Sequence, residues 1–307
     1  MESGIVLYGI NNIFTVQYGE KLLECRLKGK KLKGHEKQYN PIAPGDRVFF
    51  KEDSGHAGKG MITGREDRRN DFSRWNKKRN SPQTVAANID LLVCLASPDS
   101  PPFRPRFIDR VLIMAEDHFP VLILVNKMDQ GMTEDVKIRL EDFKAMGYDY
   151  RLCSAKTGEG VDELKAFLKG KTAAFVGQSG VGKSSILNTL EPSFNLRVGE
   201  ISDKYNRGRH TTNYGILLPW EGGALIDTPG IREIHLCGVE ARNLARFMPD
   251  LVPFIDECNL PACLHIHEPN CGVRDAAERG DIHPDRYESY LRMYYGLLEI
   301  EEENKYG

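Results

Sequence analysis

Eight consecutive residues in the second half of the chain have the pattern of a loop that binds phosphate groups. They are Gly177, Gln178, Ser179, Gly180, Val181, Gly182, Lys183 and Ser184. In this pattern the glycines let backbone N–H groups approach phosphates, the lysine reaches the β- and γ-phosphates, and the serine hydroxyl ligates Mg²⁺. An apolar run over 172–176 and a helical pattern over 183–190 predict the strand and helix that such a loop requires. We therefore expect a nucleotide site, with Ser184 on Mg²⁺ and Lys183 as a catalytic contact.

A second motif could complete this phosphate site. Asp227, Thr228, Pro229 and Gly230 follow the apolar run 224–226, which predicts a strand. A carboxylate at a strand end can hold Mg²⁺, mainly through water, and a glycine N–H can approach the γ-phosphate. Alone, such a sequence is more often a turn, but it comes about 45 residues after the phosphate loop. That spacing favours Asp227 as a magnesium-binding residue and Gly230 as a phosphate contact.

Two earlier motifs have the residues needed to recognise a guanine base. They are Asn126, Lys127, Met128 and Asp129, which follow the apolar strand pattern 121–125, and Ser154, Ala155 and Lys156. A carboxylate can accept both N–H groups on the Watson–Crick edge of guanine, whereas adenine would leave it unpaired. Polar recognition of this kind discriminates by about 10⁴ or more. Asp129 therefore favours GTP and GDP over ATP, and the motif starting at Ser154 would support the base.

The order of these four motifs differs from that of an ordinary GTPase. The phosphate loop normally opens the domain, but here the base-recognition pair precedes it. We interpret this order as a circularly permuted G domain with an α/β fold, in which the strand before the phosphate loop is central in a parallel sheet. A polar stretch from Val198 to Thr212 lies where the first switch should be. Thr211, or alternatively Thr212, should complete the Mg²⁺ site.

A cluster near the C-terminus has the ligand types of a zinc site: Cys258, Cys263, His265 and Cys271. Three thiolates and one imidazole form a closed tetrahedral set, which suits one structural Zn²⁺ and leaves no open position for catalysis. The spacing is not that of a zinc finger, His267 is an alternative imidazole, and scattered core thiols are the competing explanation. The remaining cysteines do not suggest disulfides in a cytoplasmic chain.

Composition is typical of a globular protein. Of the 307 residues, 40% are hydrophobic and 28% are charged, and the formal net charge is −2, so there is no global nucleic-acid signature. No apolar run approaches the about 18 residues of a membrane span, and the first residues lack a secretion signal. We therefore expect a cytoplasmic monomer with no membrane partner.

Positive charge is concentrated in two local clusters that could contact RNA. One comprises Arg65, Arg68, Arg69, Arg74, Lys77, Lys78 and Arg79, with Phe72 and Trp75 among them; the other comprises Lys21, Arg26, Lys28, Lys30, Lys31, Lys33 and Lys37. Phosphate backbones attract such clusters, and aromatic rings can stack on bases. A solvated surface is the ordinary explanation of a charge run, so the sequence alone leaves both interpretations open.

The chain divides into four segments in our interpretation. Short alternating runs separated by Gly and Pro turns over 1–72 predict a small β-barrel, which an OB-fold fits. Residues 73–88 are interpreted as a basic linker, 89–235 as the GTPase domain and 236–307 as an α-helical zinc-binding domain.

Taken together, these motifs resemble the ribosome small subunit-dependent GTPase A family, also called the YjeQ family of circularly permuted GTPases. The resemblance covers essentially the whole chain. It rests on the sequence of the phosphate loop extended to Ser185, the sequence of the switch segment 208–212 and the spacing of the predicted zinc ligands. It implies an RNA-binding OB-fold, GTP hydrolysis stimulated by the small (30S) ribosomal subunit, and a role in late maturation of that subunit and its 16S rRNA. It also implies that His265 is the zinc-binding imidazole.

The group that orients the attacking water differs from that of Ras-type GTPases. Such proteins place a glutamine soon after the D-x-x-G motif, but here Gly230 is followed by Ile231, Arg232 and Glu233. The resemblance points to His210 as the replacement. An alternative function is a GTP-sensing RNA-binding switch whose turnover is incidental, because both functions would show slow basal hydrolysis.

Overall fold

The N-terminal part of the computed structural model is a closed five-stranded barrel. The structure describes residues 2–28, 32, 41–116, 118–196, 215–230 and 234–306. The barrel strands are β1 (Glu2–Ile10), β2 (Ile13–Tyr18), β3 (Lys21–Leu27), β4 (Arg47–Glu52) and β5 (Lys59–Arg65), in the order β1-β2-β3-β5-β4. Alternate side chains such as Val6, Val16 and Phe50 fill the interior, as expected for strands with one buried face. The barrel is OB-like, as predicted.

Residues 73–88, interpreted from the sequence as a basic linker, belong to a β-hairpin instead. Its strands are β6 (Asp71–Asn76) and β7 (Ser81–Ala87), which pair antiparallel. The turn contains Asn80 in a left-handed conformation, with φ of 47°. The hairpin is anchored because Phe72, Val85 and Ala86 are buried in the largest hydrophobic core. The cationic residues of the turn obscured these apolar anchors in the sequence.

A six-stranded sheet forms the centre of the next part of the chain. Its strands are β8 (Leu91–Ala96), β9 (Val121–Val125), β10 (Asp149–Leu152), β11 (Thr172–Gly177), β12 (Ile216–Trp220) and β13 (Gly223–Asp227). They lie in the order β10-β9-β8-β11-β13-β12, and only the β12–β13 pair is antiparallel. β11, which precedes the phosphate loop, is an inner strand, as predicted. Because the carboxyl ends of parallel strands meet at one edge of a sheet, the loops after β8, β9, β11 and β13 lie side by side.

Helices cover both faces of this sheet. α1 (Pro105–Ala115) and α2 (Glu134–Ala145) pack on one face, and α3 (Val161–Leu168) and α4 (Lys183–Leu190) pack on the other. α2 begins after Thr133, whose hydroxyl accepts from the N–H of Val136, a common N-terminal cap. α3 ends at Leu168 and β11 begins at Thr172. A short turn therefore joins the two ends that would be free in an unpermuted domain.

The C-terminal part is helical and shares its core with α1. It contains a 3₁₀ segment over 241–247, α5 (Val252–Ile255), α6 (Gly272–Arg279) and α7 (Pro284–Tyr306). Tyr290, Met293 and Leu297 of α7 belong to the same buried cluster as Val111 of α1. In the described part of the chain, no helix combines the length and the apolar character needed to cross a membrane.

A buried ion cluster fixes α7 against α1. The Arg286 guanidinium on α7 donates to Asp109 on α1 (2.6 Å) and to both carboxylate oxygens of Asp250 (2.5 and 2.9 Å). The side chains of Arg286 and Asp109 are only 3% and 0% exposed. Burial alone would lower the pKa of Arg286, but the two carboxylates outweigh it and raise this pKa. Loss of any member would leave a charge buried without its partner.

We predict that Arg286→Leu lowers the free energy of unfolding by about 3–5 kcal/mol, the usual cost of breaking a buried ion pair on one side. Urea unfolding followed by tryptophan fluorescence measures this quantity. Arg279→Leu is the matched control, because Arg279 pairs with Asp281 on an exposed surface where such pairs contribute about 0–1 kcal/mol. Equal losses in the two variants would contradict the role of the cluster.

Candidate guanine nucleotide site and zinc centre

The phosphate loop, residues 177–184, runs from the end of β11 to the start of α4. Gly180 and Gly182 have φ angles of 86° and 94°, in the region that favours glycine. A Cβ on Gly182 would lie only 2.3 Å from Nδ2 of Asn126. The backbone conformation and the close approach of Asn126 both therefore require glycine at position 182.

Asn126, at the end of β9, links the phosphate loop to the loop that follows β10. Its Nδ2 donates to the carbonyl of Val181 (2.9 Å), and its Oδ1 accepts from the N–H of Ala155 (3.0 Å). The residue is 1% exposed. The sequence assigned Asn126 to the guanine base, but in this structure both ends of its amide bind within the protein. The residue therefore positions the two loops that would enclose a nucleotide.

Lys127 adds a second link to the phosphate loop. Its backbone is left-handed, with φ of 70°, and its Nζ donates to the carbonyls of Gly180 (2.7 Å) and Ser100 (2.6 Å). Ser100 lies in the loop after β8, which carries none of the predicted motifs. This contact joins three loops at the same edge of the sheet, and no sequence pattern indicated it.

Asp129 lies close to both polar residues of the Ser154 motif. Its Oδ1 accepts from the Ser154 hydroxyl (2.7 Å), and its Oδ2 is 3.4 Å from Nζ of Lys156. The Ser154 hydrogen bond, more than Lys156, lowers the pKa of Asp129. The carboxylate is therefore ionised at neutral pH and can act as an acceptor for guanine N–H groups.

The phosphate side of the site contains Lys183, Ser184 and Asp227. Burial raises the pKa of Asp227 to about 6, and Lys183 opposes this shift. Burial also lowers the pKa of Lys183, against the effect of Asp227. Oδ1 of Asp227 is buried and has no hydrogen-bond partner among the described residues. A buried carboxylate oxygen without a partner, on a residue that interacts with Lys183 of the phosphate loop, fits Mg²⁺ and its water shell, which would supply the missing partners.

The segment after β13 is fastened to the sheet and then approaches the phosphate loop. The Thr228 hydroxyl donates to the carbonyl of Phe175 (2.6 Å). A Cβ on Gly230 would lie 3.4 Å from Cα of Ser179, so any side chain at this position would touch the phosphate loop. His210, Thr211 and Thr212 lie outside the described residues, as do 231–233. Their assigned roles stay predictions.

The other predicted GTP contacts occupy these loops in different ways. The N–H of Met128 donates to the carbonyl of Cys153 (3.1 Å), which aligns the two base-recognition loops. Gln178 is 8% exposed and lines a cleft beside α1. The carbonyl of Ser185 accepts from the Thr189 hydroxyl within α4.

The predicted zinc ligands Cys258, Cys263, His265 and Cys271 lie together, with all ligand atoms within 4.8 Å of one another. Sγ of Cys258 is 3.9 Å from Sγ of Cys271, and Nδ1 of His265 is 3.4 Å from each of these sulfurs. A tetrahedral Zn²⁺ with Zn–S of about 2.3 Å and Zn–N of about 2.0 Å requires about 3.8 Å between sulfurs and about 3.5 Å between sulfur and nitrogen. The cluster therefore fits one zinc ion, and it includes His265 and not His267.

Glu268 holds the loop that carries His265. Its carboxylate accepts from the N–H groups of Leu264 (2.9 Å), Ile266 (2.8 Å) and His267 (3.0 Å). Burial would raise the pKa of Glu268, but these backbone donors outweigh it and lower the pKa to about 2. The Tyr287 hydroxyl on α7 also donates to the carbonyl of His265 (2.8 Å). The loop is thus supported independently of the ligand side chains.

Much of the cationic cluster at 65–79 is used inside the protein. The side chains of Arg65 and Arg68 are 4% and 6% exposed, and Arg68 pairs with Asp46 and Asp71. Burial also lowers the pKa of Arg74. Arg68 joins the hairpin to the loop before β4, because it bonds Asp71 and Thr84 as well as Asp46. The sequence therefore overstated the positive charge that this region presents to a partner.

Comparisons with known proteins agree with this geometry. The sequence model of the RsgA GTPase family matches residues 65–237. The small ribosomal subunit biogenesis GTPase RsgA of Borreliella burgdorferi (strain B31) is 38% identical over 98% of this chain and 97% of the relative. The protein of the same name from Chlorobaculum parvum is 37% identical over 97% of this chain and 98% of the relative.

The chain belongs to the RsgA GTPase family. Its structure also resembles the crystal structure of YjeQ from Thermotoga maritima, with a TM-score of 0.69 and 32% identity over 97% of this chain and 98% of that one. YloQ, described as a circularly permuted GTPase, matches with a TM-score of 0.66 and 26% identity over 97% and 96% of the two chains. The protein is thus a GTPase, and the circular permutation predicted from motif order is confirmed.

We predict that Asp129→Asn weakens GTP binding by about 100-fold, because the substitution removes a charged acceptor of two hydrogen bonds. The variant should prefer xanthosine triphosphate, whose 2-oxo group can accept from the new amide. Titration of both nucleotides against the wild type and the variant measures this change. Asp162→Asn, an exposed aspartate on α3, is the control and should bind GTP normally. An unchanged GTP preference in the Asp129 variant would remove this residue from base recognition.

We predict that Cys263→Ala loses zinc and loosens the chain from about residue 255 onward, while GTP binding survives. Structural zinc contributes ~10–16 kcal/mol of apparent binding free energy in small domains. Metal analysis and limited proteolysis measure the two effects. Cys237→Ala is the control, since Cys237 is not a member of the metal cluster and its removal should leave zinc bound. Wild-type protein with far less than one equivalent of zinc would contradict the assignment.

Proposed function

We propose that this protein hydrolyses GTP on the small (30S) ribosomal subunit, late in the maturation of that subunit. The observation that carries the proposal is the full-length similarity to proteins named small ribosomal subunit biogenesis GTPases. The proposal is supported by the contacts through which Asn126 and Lys127 link the base and phosphate loops.

In the proposed reaction, water attacks the γ-phosphate and the products are GDP and phosphate. Lys183 balances charge on the β- and γ-phosphates. Ser184, Asp227 and Thr211 would hold Mg²⁺, which would supply positive charge to stabilise the charge that develops on the phosphate oxygens. His210 orients the water, in the role that a glutamine has in Ras-type GTPases. Gly177 to Ser185 and Gly230 surround the phosphates with backbone N–H groups.

Guanine selection rests on Asp129 in this proposal. Ser154 keeps the carboxylate in position by the 2.7 Å hydrogen bond, and Lys156 lies beside it. Asn126 and Ala155 fix the distance from the base loop to the phosphate loop. The base is then read by a group that is already ionised and oriented before the nucleotide arrives.

We further propose that one Zn²⁺, held by the four ligands of the cluster, folds the segment 236–307. The barrel at 1–72 would contact 16S rRNA, since Lys21, Arg26 and Lys28 on it are exposed and phosphate backbones attract such cations. The G domain, 89–235, carries the reaction, with 73–88 joining it to the barrel. The protein would act as a monomer in the cytoplasm, where small subunits are assembled.

A GTP-sensing switch that binds RNA and hydrolyses GTP only incidentally is the alternative. It would keep the same site and the same slow basal rate, because a first switch without an external partner orients water poorly. The difference lies in the response to small subunits, which would change RNA affinity but not turnover.

We predict that small subunits accelerate single-turnover GTP hydrolysis, by a factor that can reach ~10³–10⁵ when a GTPase site is completed from outside. His210→Ala should keep GTP affinity and subunit binding but lose most of the stimulated rate. His118→Ala is the matched control, because His118 follows α1, outside the GTP motifs. A wild-type rate that does not respond to small subunits would favour the switch. If small subunits stimulate the His210 variant as strongly as the wild type, a group other than His210 orients the attacking water.

A further inference from the structure

A cleft of about 600 Å³ lies between the phosphate loop, the start of α1 and the start of α7. Among the described residues, four arginines line it, namely Arg104, Arg106, Arg110 and Arg292, and Asp285 is the one lining carboxylate. The lining therefore carries an excess of positive charge in a chain whose net charge is −2. Cations concentrated in a cleft attract anionic ligands more strongly than the same charges spread over a surface.

Two of these arginines form ion pairs with the acidic residues in and beside the cleft, Asp285 and Glu288. The Arg106 guanidinium bonds Glu288 (2.5 Å) and lies 3.5 Å from Asp285, while Arg292 bonds the same Glu288 (2.8 Å). Arg104 makes no hydrogen bond or ion pair with its side chain among the described residues, and it is exposed. The fork of Arg104 is therefore available to a ligand.

The lining of the cleft includes a side-chain amide that has no partner among the described residues. Gln178 is only 8% exposed, it lines the cleft, and its side chain makes no hydrogen bond in the part of the chain that the structure describes. Its amide atoms are not among the buried unpaired atoms, so a ligand in the cleft can reach them. A polar ligand in the cleft would supply this amide with a partner.

The start of α1 adds to the same electrostatic field. This helix has no acidic residue in its first turn and no side-chain cap, and its first residues are flanked by Arg104 and Arg106. Cations near the positive end of a helix are unfavourable, whereas an anion there is stabilising. An anion in the cleft would relieve this arrangement as well as the excess of guanidinium charge.

We propose that this cleft binds the phosphate backbone of an RNA strand. Arginine forks match phosphate oxygens in geometry, and Phe103, which also lines the cleft, offers an aromatic surface of the kind on which bases stack. The choice of RNA rests on the proposed function, which places the protein on a ribosomal subunit.

The position of Gln178 connects this cleft with the GTP site. Gln178 belongs to the phosphate loop, so one residue borders both ligands. If RNA and nucleotide each alter the conformation of this loop, each must change the affinity of the other by the same factor. RNA affinity should then differ between the forms bound to GDP and to a non-hydrolysable GTP analogue.

The test uses the full chain and a fluorescent single-stranded uridine oligonucleotide, with binding measured by anisotropy over a range of salt concentrations. Arg104→Gln combined with Arg292→Gln should weaken binding by about tenfold or more. The slope of log affinity against log salt should become shallower by about 0.7 for each phosphate that the variant no longer binds. Arg104→Lys, which keeps the charge, should restore part of the affinity. Arg279→Gln, an exposed arginine of α6 outside the cleft, is the control.

Wild-type affinity and an unchanged salt slope in the double variant would overturn the proposal. It would also be overturned if the cleft bound tripolyphosphate but not the oligonucleotide, since the occupant would then be a small phosphate compound. GTP turnover with small subunits is measured on the same proteins. If small subunits do not stimulate GTP turnover by the wild type, the proposed function is contradicted. The proposal that the cleft binds RNA is tested by the oligonucleotide data alone.

Discussion

The side-chain amide of Asn126 is the interaction on which the nucleotide site depends. It accepts from Ala155 and donates to Val181, with distances of 3.0 and 2.9 Å. These residues lie on loops that follow three different strands, β9, β10 and β11. A buried amide with both ends satisfied is costly to disturb, and the absence of a side chain at Gly182 leaves it the necessary space. The base-reading and phosphate-binding loops are therefore held at a fixed separation before any nucleotide binds.

The circular permutation changes which segments of the protein directly precede and follow the nucleotide-binding motifs in the sequence. The turn between α3 and β11 replaces the usual domain ends, and the element after β13 leads directly into the zinc-binding segment. That segment shares a core with α1 and is fixed there by the ion cluster of Asp109, Arg286 and Asp250. A conformational change near the γ-phosphate would therefore occur close to the C-terminal helices, which could contact a ribosomal partner. The cleft beside Gln178 lies between the phosphate loop and these helices.

The motifs and the regular elements could be predicted from the sequence because each depends on local spacing. Local spacing is enough to identify the glycines of the phosphate loop, the apolar strands before each motif and the cysteine cluster. The helical pattern over 183–190 has the same bounds as α4 in the structure. The small barrel was predicted from alternating runs and Gly and Pro turns, because each strand has one buried face, and the family resemblance supported the OB-fold.

The rest depends on contacts between distant residues, which spacing does not reveal. Arg68 looked like an RNA contact, but it is buried against Asp46, 22 residues away. The hairpin at 71–87 looked like a linker because its basic turn outweighed the few apolar anchors. Asp109 lies within a helical apolar pattern, and its partner Arg286 is 177 residues away. The position of Asn126 between two loops likewise follows from the order of the strands in the sheet.

The most direct test of the central claim is amide hydrogen exchange of Asn126→Ala in the nucleotide-free state. Our account predicts faster exchange in both loops, 153–158 and 178–182, while the barrel strands stay protected. Asn188→Ala is a matched control, because the Asn188 amide also bonds at both ends, to the N–H and carbonyl of Leu196. It should affect only the neighbourhood of Leu196. Faster exchange near residue 126 alone, with both loops as protected as in the wild type, would contradict the account.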